Sequence, residues 1–547
     1  MKKRRNIYLG LVVLIAIIAS IPANIPANTT FAKGHSTQNY MIEKGEFHPK
    51  PMVLKVTKKI EEQKSMMPIL ENVPIADTSD DEKYPSIALC SGENLIAAYA
   101  DQPDFLTSSV VFAYSTDGGN NWNYHPIPPN GYETEPCVAY RGVGNSAVAC
   151  WTLDPTTYPA GNVVYLMNDT TDENTWRGAI WSWSDSYSFS NWHNFSLAGC
   201  YLSDYPEFWG VMSFIGDSDD DNYHLYATEC PWVLTDGTKW YGAGYAVCEL
   251  FPYWNHSRTT STAIDSSAGK GYTVFDFFNE EVGTYSLGIV SYPLETIWDD
   301  ESIWDRINIS SNYFTSYSHP DISITGGIGY IACETNENGN KDIVCFYSTD
   351  GFNTVEKTFI ANSPDNETNP SIVSYGEIAQ CTFIRNGNIY ITHTSDGGKT
   401  WSEPKQVNDQ DGTVEEGWHF SKLTRGGNVA WTDTRNGNLD IYFNSMGVPA
   451  PIISIDSVSG GIGVKATISN VGSATAENLK WSIDLSGLVI IGKHSEGSIS
   501  SLSPGESTTI KSGFVFGIGP VTAIVKAGGA TKTAKGIMLG PLILGLS

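Results

Sequence analysis

The chain has 547 residues and a formal charge of −27, with 12% aromatic and only 17% charged side chains. That profile excludes a disordered chain, and the excess of acid excludes a general affinity for nucleic acid or an anionic membrane, which needs clustered Lys and Arg. Fifty-two Gly and 27 Pro point to many turns, hence to many short strands.

Residues 1–32 read as a secretory signal peptide. Lys2-Lys3-Arg4-Arg5 precede an apolar run from Ile7 to Ile21, and Thr30-Phe31-Ala32 supplies small residues for cleavage. The run ends at Pro22, short of the ~20 residues a membrane-spanning helix needs, although a retained anchor competes with the cleaved reading. Cleavage would leave a secreted or cell-surface protein with no membrane insertion. Residues 1–32 carry +4 and residues 451–547 carry +2, so the region between them holds −33. The composition breaks at Val448-Pro449-Ala450-Pro451, which sets residues 448–451 as a linker between a repeat region, 77–447, and a C-terminal domain, 452–547.

In the repeat region, units begin at Tyr84-Pro85-Ser86-Ile87, Glu135-Pro136-Cys137-Val138, Tyr205-Pro206-Glu207-Phe208, His319-Pro320-Asp321-Ile322 and Asn369-Pro370-Ser371-Ile372. A sixth begins near Trp418-His419-Phe420-Ser421, and the wide gap before Pro320 leaves room for a diverged unit starting near Gly271. A period of ~50 residues with several strands per unit predicts a β-propeller of six or seven blades. Asn338-Gly339-Asn340, Asn386-Gly387-Asn388 and Asn436-Gly437-Asn438 recur between strands, where Asn-Gly supplies the positive φ of a tight hairpin. The last unit runs out after three strands, which would leave an open edge. The segment 33–76, through Met52 to Thr57 or Ile69 to Ile75, is expected to supply the closing strand.

Ser115-Thr116-Asp117-Gly118-Gly119-Asn120-Asn121-Trp122 and Thr394-Ser395-Asp396-Gly397-Gly398-Lys399-Thr400-Trp401 share the pattern Ser/Thr-x-Asp-x-Gly-x-x-Trp. Ser348-Thr349-Asp350-Gly351-Phe352 is a worn copy. These segments resemble the Asp-box (BNR) repeats of sialidase-like β-propellers, a likeness that covers roughly residues 77–447. The resemblance implies structural turns on the outer rim, in which Asp accepts backbone N–H groups and Trp packs between sheets. It does not extend to the enzymes' arginine motif, because no Arg lies between Arg5 and Arg141. No catalytic residue carries over.

At the ring centre the positions before each Pro, namely Tyr84, Glu135, Tyr205, His319 and Asn369, together with Trp418, combine aromatic faces with polar groups that suit a sugar. Glu135, Glu207 and Asp321 are the carboxylates that a glycosidase would draw on. The bland reading makes all of these residues strand-end and interblade contacts. Asp217, Asp219 and Asp221 alternate as in a calcium loop, but Asn222 stands where an EF-hand has Gly, so a solvated hairpin tip competes with the metal; no other cofactor is implied. Nine Cys leave at least one unpaired. Cys230 and Cys248 are the disulfide candidates, while Cys150, Cys333 and Cys381 align with Ala98 and Ala430 as small buried residues.

Residues 452–547 predict a β-sandwich of about seven strands, Ile452–Val458, Gly463–Ser469, Leu479–Leu485, Leu488–Ile491, Ser507–Phe516, Val521–Lys526 and Thr531–Met538, spaced as in an immunoglobulin-like fold. Ser469-Asn470-Val471-Gly472 followed by Ala476-Glu477-Asn478 resembles adhesion-type domains of prokaryotic surface proteins. The expected fold is therefore all-β. Three functions fit it: an exported propeller that binds glycans or cell-surface proteins, a sialidase-like glycoside hydrolase using central carboxylates, or a structural surface protein.

Overall fold

The computed structural model describes residues 71–546 apart from connecting stretches, of which the longer are 154–160, 183–191, 200–207, 218–222, 235–239, 243–247, 250–256, 295–304, 310–314 and 447–452. The signal segment 1–32, the strand candidate Met52–Thr57 and the linker 448–451 lie outside the described residues.

Seven antiparallel sheets follow one another along the chain, and the first strand of each touches the first strand of the next until the seventh meets the first. The repeat region is a seven-bladed β-propeller. Its inner strands are Asp81–Leu89, Glu133–Tyr140, Trp192–Gly199, Thr260–Asp265, Tyr317–Thr325, Thr368–Tyr375 and Ser421–Thr424, taken here as blades 1 to 7. The third unit therefore opens at Trp192 and not at Tyr205, and the fourth opens at Thr260 rather than near Gly271. In both units, as in blade 7, the Pro that marks the other four is missing. Phe195 and Thr260 stand in its place, while Phe208–Asp217 and Lys270–Asn279 are second strands.

The X-Pro signature is a β-bulge. In blade 1 the register passes from Lys83↔Ala100 to Ser86↔Ala98, so Tyr84 and Pro85 together face one residue. The same slip occurs at Thr134/Cys137, His193/Ser196, Ser318/Asp321 and Thr368/Ser371. Tyr84, Glu135, Asn194, His319, Asn369 and His419 all take positive φ, between 50° and 66°. A residue preceding Pro is normally extended, and a side chain at positive φ costs about 1–3 kcal/mol. Hydrogen bonds hold part of this strain. Asn194 N–H donates to the Glu135 carboxylate at 2.7 Å, Asn369 N–H to Glu334 at 3.1 Å and His319 N–H to Asp276 at 3.4 Å.

Blade 7 takes its fourth strand from the chain's N-terminal side. Val73–Ala76 pairs antiparallel with Asp440–Ser445, with Val73 opposite Phe443. Arg435 fastens this seam: it reaches Asp433 at 2.8 Å, Asp409 at 2.9 Å and Asn72 Oδ1 at 3.2 Å. Asn438 Nδ2 donates to the Asp80 carbonyl at 2.7 Å.

Residues 453–544 form two further sheets. One has three strands, Ile453–Ser459, Lys465–Asn470 and Ser507–Lys511; the other has six. Apolar side chains between the sheets, among them Ile468, Ile483, Val525 and Met538, make the core of a β-sandwich. The structure differs from the sequence expectation at several places: Phe516 opens Phe516–Ala527 instead of ending Ser507–Lys511, and Gly461–Ile462 and Leu542–Leu544 are further strands. Ala476–Ile491 is one strand that bulges at Gly487 rather than two, and His494–Leu502 is a strand as well.

Candidate functional site

The third and fourth strands of the blades meet at the turns singled out in the sequence. Ser115 Oγ–H donates to Asp117 at 2.8 Å, Gly119 N–H returns to Ser115 Oγ at 2.9 Å, and Asn121 N–H donates to Asp117 at 3.0 Å. Thr394, Asp396, Gly398 and Thr400 repeat this set, as do Ser348, Asp350, Phe352 and Thr354. Hydrogen bonds from Asn121 and Ser115 hold the Asp117 carboxyl down at about 2. Each turn packs on the preceding blade. Trp122 lies 5.5 Å from the Phe443 ring of blade 7, and Trp401 is buried among Tyr330 and Tyr347 of blade 5. These contacts hold blades together at the rim.

The axis carries a different arrangement. A narrow funnel with a cavity volume of about 50 Å³, open to solvent, is lined by residues from all seven inner strands. Two residues beyond each bulge position stand Ser86, Cys137, Ser196, Ser261, Asp321, Ser371 and Ser421, and every one of them lines the funnel. These side chains clamp blade to blade by accepting a backbone N–H from the next inner strand. Ser86 Oγ accepts from Val138 at 3.0 Å, Ser196 from Thr262 at 2.8 Å, Ser261 from Ile322 at 3.3 Å, Asp321 from Ile372 at 2.8 Å and Ser371 from Leu423 at 3.2 Å. Cys137 takes that place in blade 2. A hydrogen bond with Cys150 holds its thiol below the usual range against the effect of burial, aided by the Lys422 charge and the Leu197 N–H. At the blade 7 to blade 1 junction the clamp moves along the strand, where Thr424 Oγ1 accepts from Leu89 N–H at 3.1 Å, and Ser421 Oγ has no partner among the described residues.

Asp321 is the one acid in this ring. It accepts from Ser261 Oγ at 2.6 Å and Ser371 Oγ at 3.1 Å, and Lys422 Nζ sits 3.2 Å from both of its oxygens. Beside the pair, the Trp418 ring lies 5.2 Å from His319 and 4.9 Å from His419, and its Nε1 also has no partner among the described residues. His319 Nδ1 is 3.1 Å from Glu334. Burial would raise the Glu334 carboxyl, but the hydrogen bond and charge of His319, with Lys341, outweigh it and bring it to about 2.

Of the residues expected at the centre, Asn369, Trp418 and Asp321 line the funnel, and His319 stacks behind Trp418. Tyr84 packs on Phe420 at 5.2 Å. Glu135 turns to Asn194 N–H, and burial raises its carboxyl. Tyr205 and Glu207 lie outside the described residues, and the position assigned to Tyr205 belongs to Asn194, a residue type that tolerates positive φ. Asp219 and Asp221 are also outside, and Asp217 is described only as a strand end. The backbone register sets Cys248 opposite Ala227, three positions from Cys230. The cysteines do not share one column. Cys150 faces Cys137, but Cys381 faces Ile372 and Cys333 faces the bulge. Burial raises the free thiols of Cys333, Cys345 and Cys381. Among the described residues no arginine lines the funnel; Arg385 stacks on Tyr390 at 4.3 Å and Arg435 on Tyr442 at 3.8 Å.

The ring of small polar residues and Lys422 escaped the sequence reading, which weighed the residue before Pro instead. Aligning the units on the bulge would have revealed a column reading Ser86, Cys137, Ser196, Ser261, Asp321, Ser371 and Ser421.

The class defined by these sheets is a β-propeller followed by a β-sandwich. No family model and no curated protein matches the chain. Among solved structures, a Dyadobacter fermentans protein of unknown function is 11% identical, with 69% of this chain and 97% of that one covered and a TM-score of 0.41. A Penicillium chrysogenum α-L-arabinanase complexed with arabinobiose is 12% identical over 69% and 98% of the two chains, at 0.36. A mutant Trypanosoma rangeli sialidase displaying trans-sialidase activity is 12% identical over 88% of each, also at 0.36.

Proposed function

We propose that the funnel binds a neutral carbohydrate and does not hydrolyse it, in a protein that works outside the cell. The observation that carries this reading is a meeting at one junction. There Trp418 and Ser421 both line the funnel, and two of their buried polar atoms, Trp418 Nε1 and Ser421 Oγ, have no partner among the described residues. Buried polar atoms without partners are rare and call for a ligand or water. A sugar brings C–H faces for the ring and hydroxyls for the polar atoms.

Neutrality of the ligand follows from Lys422, whose charge is matched by Asp321. Glycoside hydrolysis needs two carboxylates across the scissile bond. Among the described residues Asp321 alone lines the funnel as an acid, and its oxygens are engaged by Ser261, Ser371, Ile372 N–H and Lys422. The extracellular placement rests on the basic and apolar pattern of residues 1–32.

A glycan array followed by calorimetry on the retained sugar tests the reading. Trp418→Ala is expected to weaken binding about tenfold or more. Chromatography of an incubated oligosaccharide is expected to return it uncut. An array that retains nothing, or a W418A protein that binds as tightly as the parent, refutes the site. Shorter products that disappear in Asp321→Asn would refute the binding-only reading.

A further inference from the structure

The smaller sheet of the sandwich covers one face of the larger sheet and leaves the other bare. Along Ala530–Gly540, Ala534 and Met538 point into the core, whereas Ile537 and Leu539 point outward and are half exposed. Leu542–Leu544 repeats the alternation, with Ile543 inside. Register joins these outward residues into one band: Leu539 is opposite Leu542, Leu542 is opposite Ile462, and Ile537 lies between Leu544 and Pro520. On Ala476–Ile491, Val489 is in the core while Leu488 and Ile490 are each 70% exposed. The other half of the same face is polar, carrying Ser482, Asp484, Lys526 and Lys535.

Apolar patches of this extent on a soluble protein mark contact surfaces. Counting the flanking Ile491, Phe514 and Phe516, the band exposes ten large apolar side chains. At on the order of 100 Å² each they offer roughly 1,000 Å², close to what one partner contributes to a stable protein interface.

We propose that this band is a homodimer interface, through which two copies of the chain stack their larger sheets face to face. A flat aliphatic sheet face suits such stacking, in which sheets lie ~10 Å apart. A self-complementary patch closes as a twofold dimer. The band contains Ile, Leu and Phe but no Trp, Tyr or Arg, the anchors that seat a protein at a lipid headgroup layer. Charge points the same way. Residues 33–450, which contain the propeller, hold −33 and would repel a second propeller, whereas the sandwich at +2 is nearly neutral.

Sedimentation equilibrium on the full chain decides the matter. The parent protein is expected to dimerise with a Kd in the micromolar range or below. The double variant Leu488→Lys with Leu539→Lys should sediment as a monomer with an unchanged circular dichroism melt, since both sites face solvent. Should that variant misfold, Ile490→Cys treated with a bismaleimide gives a second readout, and cross-linked dimer is expected. A parent protein that stays monomeric at about 100 µM refutes the proposal. So does a folded double variant that remains dimeric, an I490C chain that does not cross-link, or a monomer that floats with phosphatidylcholine vesicles.

Discussion

Replacing Glu82 with Gln should stabilise the propeller at alkaline pH and leave it unchanged in acid. Glu82 is 1% exposed and lies at the closing seam, where its N–H donates to the Leu439 carbonyl at 2.7 Å. The Thr78 hydroxyl bonds one carboxyl oxygen, and the other has no partner among the described residues. Burial, with the nearby charges of Asp440 and Asp101, pushes the group from 4.5 up to about 7. The folded state therefore holds a proton that the unfolded chain releases. The stability this contributes is complete below pH 4.5 and is lost as pH rises through 7. At 1.36 kcal/mol per unit the shift bounds the effect near ~3 kcal/mol, and solvent screening of a seam position lowers it to about 1–2 kcal/mol. Gln imitates the protonated form at every pH and still accepts from Thr78. For a propeller of this size the gain at pH 8 corresponds to about 2 °C in Tm. Calorimetric melts of both proteins at pH 4, 6 and 8 test it. A variant that melts lower at pH 8, or differs equally at all three values, refutes the assignment of a raised carboxyl at the seam.

Glu334 should behave in the opposite sense. Its carboxyl is held at about 2, so its contribution is present above 4.5 and lost as pH falls through 2; Glu334→Gln should cost about 2 kcal/mol at neutral pH and nothing in strong acid, read from denaturant melts at both values. The paired glycines Gly118 and Gly119 separate backbone strain from packing. Both have positive φ, but a Cβ at 118 meets nothing, whereas at 119 it would sit 2.1 Å from Phe443 of blade 7; Gly118→Ala should cost about 1 kcal/mol and Gly119→Ala clearly more in the same melts.

The sequence signals that proved readable are those with a local backbone cause. Asn-Gly at 386–387 reports a positive-φ hairpin, and both residues adopt it, at 53° and 65°. X-Pro reports the inner-strand bulge in blades 1, 2, 5 and 6, whereas Tyr205-Pro206 comes before Phe208–Asp217, a second strand. Blades 3 and 4 lack Pro, and their starting points were displaced because Asn194-Phe195 and Thr259-Thr260 carry no such mark. In the sandwich, His494–Leu502 is an edge strand whose mostly exposed residues give no apolar alternation, so it has no hydrophobic period to read. The strand break assigned near Ser486-Gly487 followed the usual meaning of glycine. Gly487 instead takes φ 110° inside a bulge that lets the strand continue. The site was harder to see than the fold, because its polar ring is assembled from one residue per blade. No stretch of sequence contains more than a single member of it.

That ring also explains why a binding site would sit where it does. Six of the seven junctions use their polar side chain on the backbone N–H of the next blade, a sequential neighbour in the chain. At the seventh junction the neighbours are the first and last inner strands; there Thr424 Oγ1 accepts from Leu89 N–H at 3.1 Å, and further closing contacts come through Val73–Ala76 and Arg435 near the outer strands. Among the described residues Ser421 Oγ is the one ring hydroxyl without a partner, and it lies on the same short strand as Lys422, three residues past Trp418. A ligand bridging these groups would add to the Thr424–Leu89 contact at the inner end of the seam. Its occupancy and the closure of the ring would then be linked: at a hundredfold excess over Kd, a ligand that binds only the closed ring adds about 2.7 kcal/mol to it.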